Sequence, residues 1–158
     1  MSCGIALAAS LLLSHPSVAL AAAQPTAVAG VPVSVASEPL FADIVARASA
    51  LKAVVDAWGP TGGSQAEFET FKTRAAALSE LDLQAHLVLK ERGTDGDLKC
   101  ILRGISEDIP VKVEAVETAA SPQARAAALS DLAYLLNDNV EVIIAPPQPD
   151  ALSGLEAN

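Results

Sequence analysis

The chain has 158 residues, with 19 Asp or Glu against 10 Lys or Arg and a formal net charge of −9. An acidic chain with scattered basic residues repels phosphate backbones and anionic bilayers, which excludes nucleic-acid binding and electrostatic membrane attachment from the expected roles. Two Cys, one Trp, one Tyr and three Phe supply neither a disulfide framework nor an aromatic platform for bases or sugars.

In chain order, the first charged side chain is Glu38. Residues 5–13 (IALAASLLL) form an apolar run of signal-peptide length, broken by Ser14-His15-Pro16 and followed by small residues at 19–23. Residues 1–23 therefore read as a cleaved signal peptide, with the mature chain starting near Gln24, although the usual basic residue ahead of the run is missing. The run is shorter than the ~20 apolar residues a membrane helix needs, so no stable span is expected after cleavage. The implied location is exported, in the periplasm or outside the cell. Cys3 falls in the leader, which leaves Cys100 alone in the mature chain.

Residues 24–37 lack charge and helical period and are interrupted by Pro25 and Pro32, so they read as a flexible lead-in. Ser37 offers a cap for a first helix with Pro39 in its first turn. Leu40, Phe41, Ile44, Val45, Ala48, Leu51, Val54, Val55 and Trp58 make its apolar stripe, and Gly59-Pro60 with Gly62-Gly63 ends it. Ser64 and Glu67 have capping-box spacing at the start of a second helix. Its stripe of Phe68, Phe71, Ala75 and Leu78 slips in phase between Ser79 and Asp82 before Ala85, Leu87, Val88 and Leu89 resume it. Either one long helix bends there or two shorter ones meet at Ser79.

After Gly93 and Gly96, with Thr94 and Asp97 as a second possible capping box, a third helix is expected over 95–119. Leu98, Leu102, Ile105, Ile109 and Val116 share its inner arc, and Pro110 in mid-helix predicts a kink. Ser121-Pro122 opens a fourth helix lined by Ala128, Leu129, Leu132, Leu135, Leu136, Val140 and Ile143 and ended by Pro146-Pro147. The organisation is a leader at 1–23, a lead-in at 24–37, a helical domain at 38–145 and a tail at 146–158 that reads as disordered. The fold class is all-α, an antiparallel up-down four-helix bundle. Residues 139–144 (NVEVII) alone could alternate as a strand, and they continue the helical stripe equally well.

Motifs for chemistry are missing. There is no Cys-x-x-Cys-His for c-type haem and no Glu-x-x-His pair for di-iron, and His86 is the sole His after the leader. No Gly-x-Ser-x-Gly elbow or phosphate loop occurs, Ser64, Ser79 and Ser121 are accounted for as caps, and Glu107-Asp108 reads as surface charge. No cofactor, metal or catalytic residue is assigned.

One face of the third helix suggests contact with a partner. With Leu98 at 0° and ~100° per residue, Cys100, Gly104, Val111 and Ala115 fall at about 200° to 260°, away from the core arc. Small residues there permit close approach of another helix, either a protein partner or a second copy in a weak homodimer. The expected function is a non-catalytic binding or interaction role in the envelope or outside. The alternative is a carrier of a small apolar ligand or haem in a cavity opened by the kink.

Overall fold

The computed structural model describes residues 34–93 and 97–146. Four helices follow in order, α1 (Pro39–Trp58), α2 (Gln65–Glu91), α3 (Leu98–Glu117) and α4 (Pro122–Ile144), with a short 3-10 turn at Gly59–Thr61. The described residues contain no strand, and 139–144 belong to α4. The leader at 1–23, the lead-in up to residue 33, Thr94 and the tail beyond Pro146 lie outside the described residues.

Local chemistry sets each boundary. α1 begins at Pro39, whose missing N–H is one that a first turn leaves unbonded anyway. Its cap position is Glu38 rather than Ser37, and no side chain bonds the first turn there. The end of the lead-in is part of the fold, because Val35 is buried and its carbonyl accepts from the Glu38 N–H at 2.9 Å. Gly59 and Gly62 take φ of 59° and 71°, which an L side chain resists. Gly63 lies directly under the Trp58 indole, where a Cβ would collide with the ring. α2 starts with a complete capping box: the Glu67 N–H donates to Ser64 Oγ, and the Ser64 N–H donates to Glu67 Oε2 at 2.8 Å. α4 starts with the Ala124 N–H donating to Ser121 Oγ at 3.1 Å. At α3 the cap position is Asp97, whose side chain makes no cap bond, and the helix starts at Leu98; the Thr94 half of the capping box expected there lies outside the described residues.

Buried positions recur at alternating intervals of three and four. In α1 they are Phe41, Ile44, Ala48, Leu51 and Val55. In α4 they are Leu129, Leu132, Leu136, Asn139 and Ile143. This 3.5-residue period belongs to helices that cross at shallow angles with side chains interlocked. α2 keeps it over Phe68, Phe71, Ala75, Leu78, Asp82, Ala85 and Leu89 without a slip. The second helix is thus one continuous element, not two meeting at Ser79. The apparent slip arises because Asp82, a charged residue, holds a core position, while Leu87 points outward. α3 runs unbroken through Pro110, with Leu102, Ile105, Ile109, Val113 and Val116 buried.

Each helix packs on two neighbours, α1 on α2 and α4, and α3 on α2 and α4. With short links between successive helices this is the up-down antiparallel bundle. α2 and α4 are diagonal to one another. Ion pairs tie adjacent helices at the surface: Lys72 to Glu117 at 2.6 Å, Lys112 to Asp131 at 3.2 Å, and Arg92 to Glu38 through both terminal guanidinium nitrogens. No described helix is long and apolar enough to cross a membrane.

Candidate functional site: an outer face beside a buried polar layer

Of the four residues expected to form an interaction face on α3, none is buried. Val111 is 60% exposed and Ala115 is exposed. Gly104 is half-buried, and a Cβ built on it would meet nothing within 4 Å. Cys100 is half-buried and takes part in no disulfide. The row also contains Asp108, four residues after Gly104 and three before Val111, so a charge divides its two halves.

The adjoining surface of α2 adds Leu87, which the sequence places on the buried stripe, and Leu83, which the sequence reading does not assign. Leu83 and Leu87 are 46% and 49% exposed. At ~100° per residue they follow Ser79 and His86 around α2 on the side that meets α3. The His86 bond to the Lys99 carbonyl brings Leu87 level with the Cys100 turn of α3. Exposed leucines and the small residues of the α3 row therefore share one side of the molecule.

Beneath this face the α2–α3 seam is polar. Pro110 has no N–H to give the Ser106 carbonyl, its partner one turn earlier. The Ser79 hydroxyl on α2 donates to that carbonyl at 2.7 Å. Ser79 is thus the answer to Pro110 and not a helix cap. His86 Nδ1 lies 2.6 Å from the Lys99 carbonyl, and since a carbonyl only accepts, Nδ1 carries the hydrogen. The Ser106 hydroxyl turns back to the Arg103 carbonyl at 2.7 Å.

Deeper still, Asp82 of α2 and Asn139 of α4 are fully buried. Asn139 Nδ2 donates to Asp82 Oδ2 at 2.8 Å, a bond across the diagonal of the bundle. Burial pushes the Asp82 carboxyl up from the usual 3.8 to about 7, with the Asn139 donor acting second and in the opposite sense. Asp82 Oδ1 and Asn139 Oδ1 have no hydrogen-bond partner. Neither residue was singled out in the sequence, yet the signal was present: both complete three-and-four spacings between apolar core positions.

Open grooves mark the surface of the described residues. One of about 680 Å³ lies where the 3-10 turn meets the start of α4, with Arg125 in its wall. Another, of about 380 Å³, runs between Trp58 and Arg74. Among the described residues no three His, Cys, Asp or Glu side chains gather as a metal site. Comparison of the chain with family models, curated proteins and solved structures gives no match.

Proposed function

We propose that the protein is a non-catalytic interaction module, exported to the cell envelope or beyond, that receives a partner protein's apolar helix on its α2–α3 face. The observation that carries this reading is the pair of exposed leucines, Leu83 and Leu87, beside the open backbone at Gly104. Exposed leucines lose contact with water when covered, and a glycine without neighbours lets a second helix come close. The apolar leader at 5–13 supports export. The acidic surface supports solubility of the free form. The carrier reading relied on helices splayed at Pro110, and there the Ser79 bond holds α2 to α3.

The test uses the full chain in its native host. Cross-linking from a photoreactive group at Leu87 in the exported fraction should yield one dominant adduct, absent when Leu83→Glu is present. A second copy of the chain as the sole adduct would replace the partner reading with the homodimer. Full-length protein confined to the cytoplasm, or an adduct pattern unchanged by Leu83→Glu, would overturn the proposal.

A further inference from the structure

We propose that Asp82 and Asn139 form a proton-binding pair in the bundle core, in which a proton on the Asp82 carboxyl supplies the donor that Asn139 Oδ1 lacks, so that the fold tightens as the pH falls through neutrality. The argument starts from the inventory of donors and acceptors. An ionised carboxylate only accepts, and a carboxamide has two donor hydrogens and one acceptor oxygen. The single bond from Asn139 Nδ2 to Asp82 Oδ2 uses one of the two amide hydrogens and leaves two oxygens, Asp82 Oδ1 and Asn139 Oδ1, with no hydrogen-bond partner and out of contact with water. Left so, the ionised form keeps a charge and unmet lone pairs in an apolar interior, which is costly. The neutral acid has an O–H, and Asn139 Oδ1 is an acceptor in want of one. One proton taken from solvent onto Asp82 Oδ1 removes the charge and meets both needs in a reciprocal acid–amide pair.

The surroundings leave the proton as the natural ligand. Asp82 is the one titratable side chain buried among the described residues. At its level α1 carries Asp43 and Arg47, paired with each other at 2.9 Å, and α3 carries Arg103, paired with Glu107. α4 adds Asp138 and α2 itself adds His86, both half-buried. Asp138 is also raised, by burial and then by Glu141. None of these side chains hydrogen-bonds Asp82, which leaves burial as the main force on its carboxyl.

The sign follows from the proton count. The unfolded chain releases the Asp82 proton near the usual 3.8, and the folded chain holds it until about 7. Between those values the folded state binds more protons, so stability falls as pH rises and levels off above about 7. Paired carboxylates act lower and in the opposite direction. Arg92 holds Glu38 below the ordinary range, and the Ser64 hydroxyl and N–H hold Glu67 below it. A window from about pH 5 to 8 thus isolates the buried pair from the usual acid loss of surface ion pairs.

Chemical denaturation of the full chain across that window is the test, followed by circular dichroism. Wild type should lose up to about tenfold in its folding equilibrium constant per pH unit before the plateau. Asp82→Asn keeps the shape, places an amide donor opposite Asn139 Oδ1, and should remove the fall, while His86→Gln should leave it in place. In parallel, the Asp82 carboxyl carbon of 13C-labelled wild type should titrate near neutrality, a reading that stands even if Asp82→Asn fails to fold. Titration of that carbon in the ordinary range near 4, or a fall that persists in a folded Asp82→Asn, would overturn the proposal.

Discussion

The two halves of this bundle's interior are held by different physics. Where α1 passes into α2 the core is aromatic: Trp58 lies 5.1 Å from Phe71 and 6.2 Å from Phe68 between ring centroids, and the Arg125 guanidinium covers Phe68 at 5.4 Å. Around the middle of α2 the interior is polar, with Ser79, Asp82 and His86 each bonded to a different helix position. The aromatic end gains stability in proportion to buried area and is indifferent to pH. The polar layer gains little net stability, but its bonds are directional and admit one register. A bundle of small and branched apolar residues can slide or rotate at modest cost, so a diagonal hydrogen bond limits the alternatives.

The comparison makes its largest claim at the aromatic end. Phe71→Ala empties a fully buried site between two other rings and should cost ~3–5 kcal/mol, measured by chemical denaturation. A loss below ~1 kcal/mol would mean that the ring cluster closes over the gap and is not a rigid anchor. The polar layer is expected to move the other way. Replacing both partners, Asp82→Leu with Asn139→Leu, removes the desolvated oxygens and should gain ~1–4 kcal/mol at about pH 8, where Asp82 is ionised. The gain should shrink toward acidic pH as the native pair takes up its proton, and the variant's oligomeric state by sedimentation checks whether register was lost along with the cost. Destabilisation at every pH would show the pair to be a net source of stability.

The sequence disclosed the aromatic end and concealed the polar layer, for one reason. Phe68, Phe71, Leu102 and Leu132 announce burial by side-chain type, and all four are buried as expected. Asp82 and Asn139 sit at positions with the same spacing, but a charge or amide there reads as surface, which is why α2 seemed to lose phase at Ser79. Spacing carried the correct answer where residue type misled. Pro110 shows the same limit at longer range. Its missing hydrogen bond is evident in the sequence, whereas the hydroxyl that compensates comes from Ser79, 27 residues from Ser106. On the candidate face, Gly104, Val111 and Ala115 lie outside the core as the helical period requires. The exposure of Leu87 was hidden by the same misplaced phase that hid Asp82, and Leu83 lies exposed one turn before it.

Ser79 offers a smaller and sharper probe of the polar layer. Ser79→Ala leaves the Ser106 carbonyl without the bond that Pro110 already denies it along the helix. The expected loss is ~1–3 kcal/mol, the range for an unmet buried polar group. Adding Pro110→Ala restores an N–H within reach of that carbonyl, so the double variant should recover most of the loss. No recovery would mean that Ser79 matters for packing and not for its bond.

The smallest effect belongs to a bond of the same kind placed in water. Ser64 at the start of α2 is exposed, and its hydroxyl accepts from the Glu67 N–H while Glu67 returns the bond to the Ser64 N–H. Solvent competes for all of these groups, so removing the hydroxyl exposes donors that water can satisfy. Ser64→Ala should therefore cost ~0.5–2 kcal/mol, and Ser64→Gly only a few tenths, because glycine lets water reach the first turn. Ser79→Ala should exceed Ser64→Ala in the same denaturation series, since the first strands a half-buried acceptor and the second frays an exposed turn. If the two losses were equal, burial would not be what sets the strength of the inner bond. The contrast between a wet cap and a dry seam would then fail, and with it the view that the middle of α2 is held by bonds whose worth depends on the exclusion of water.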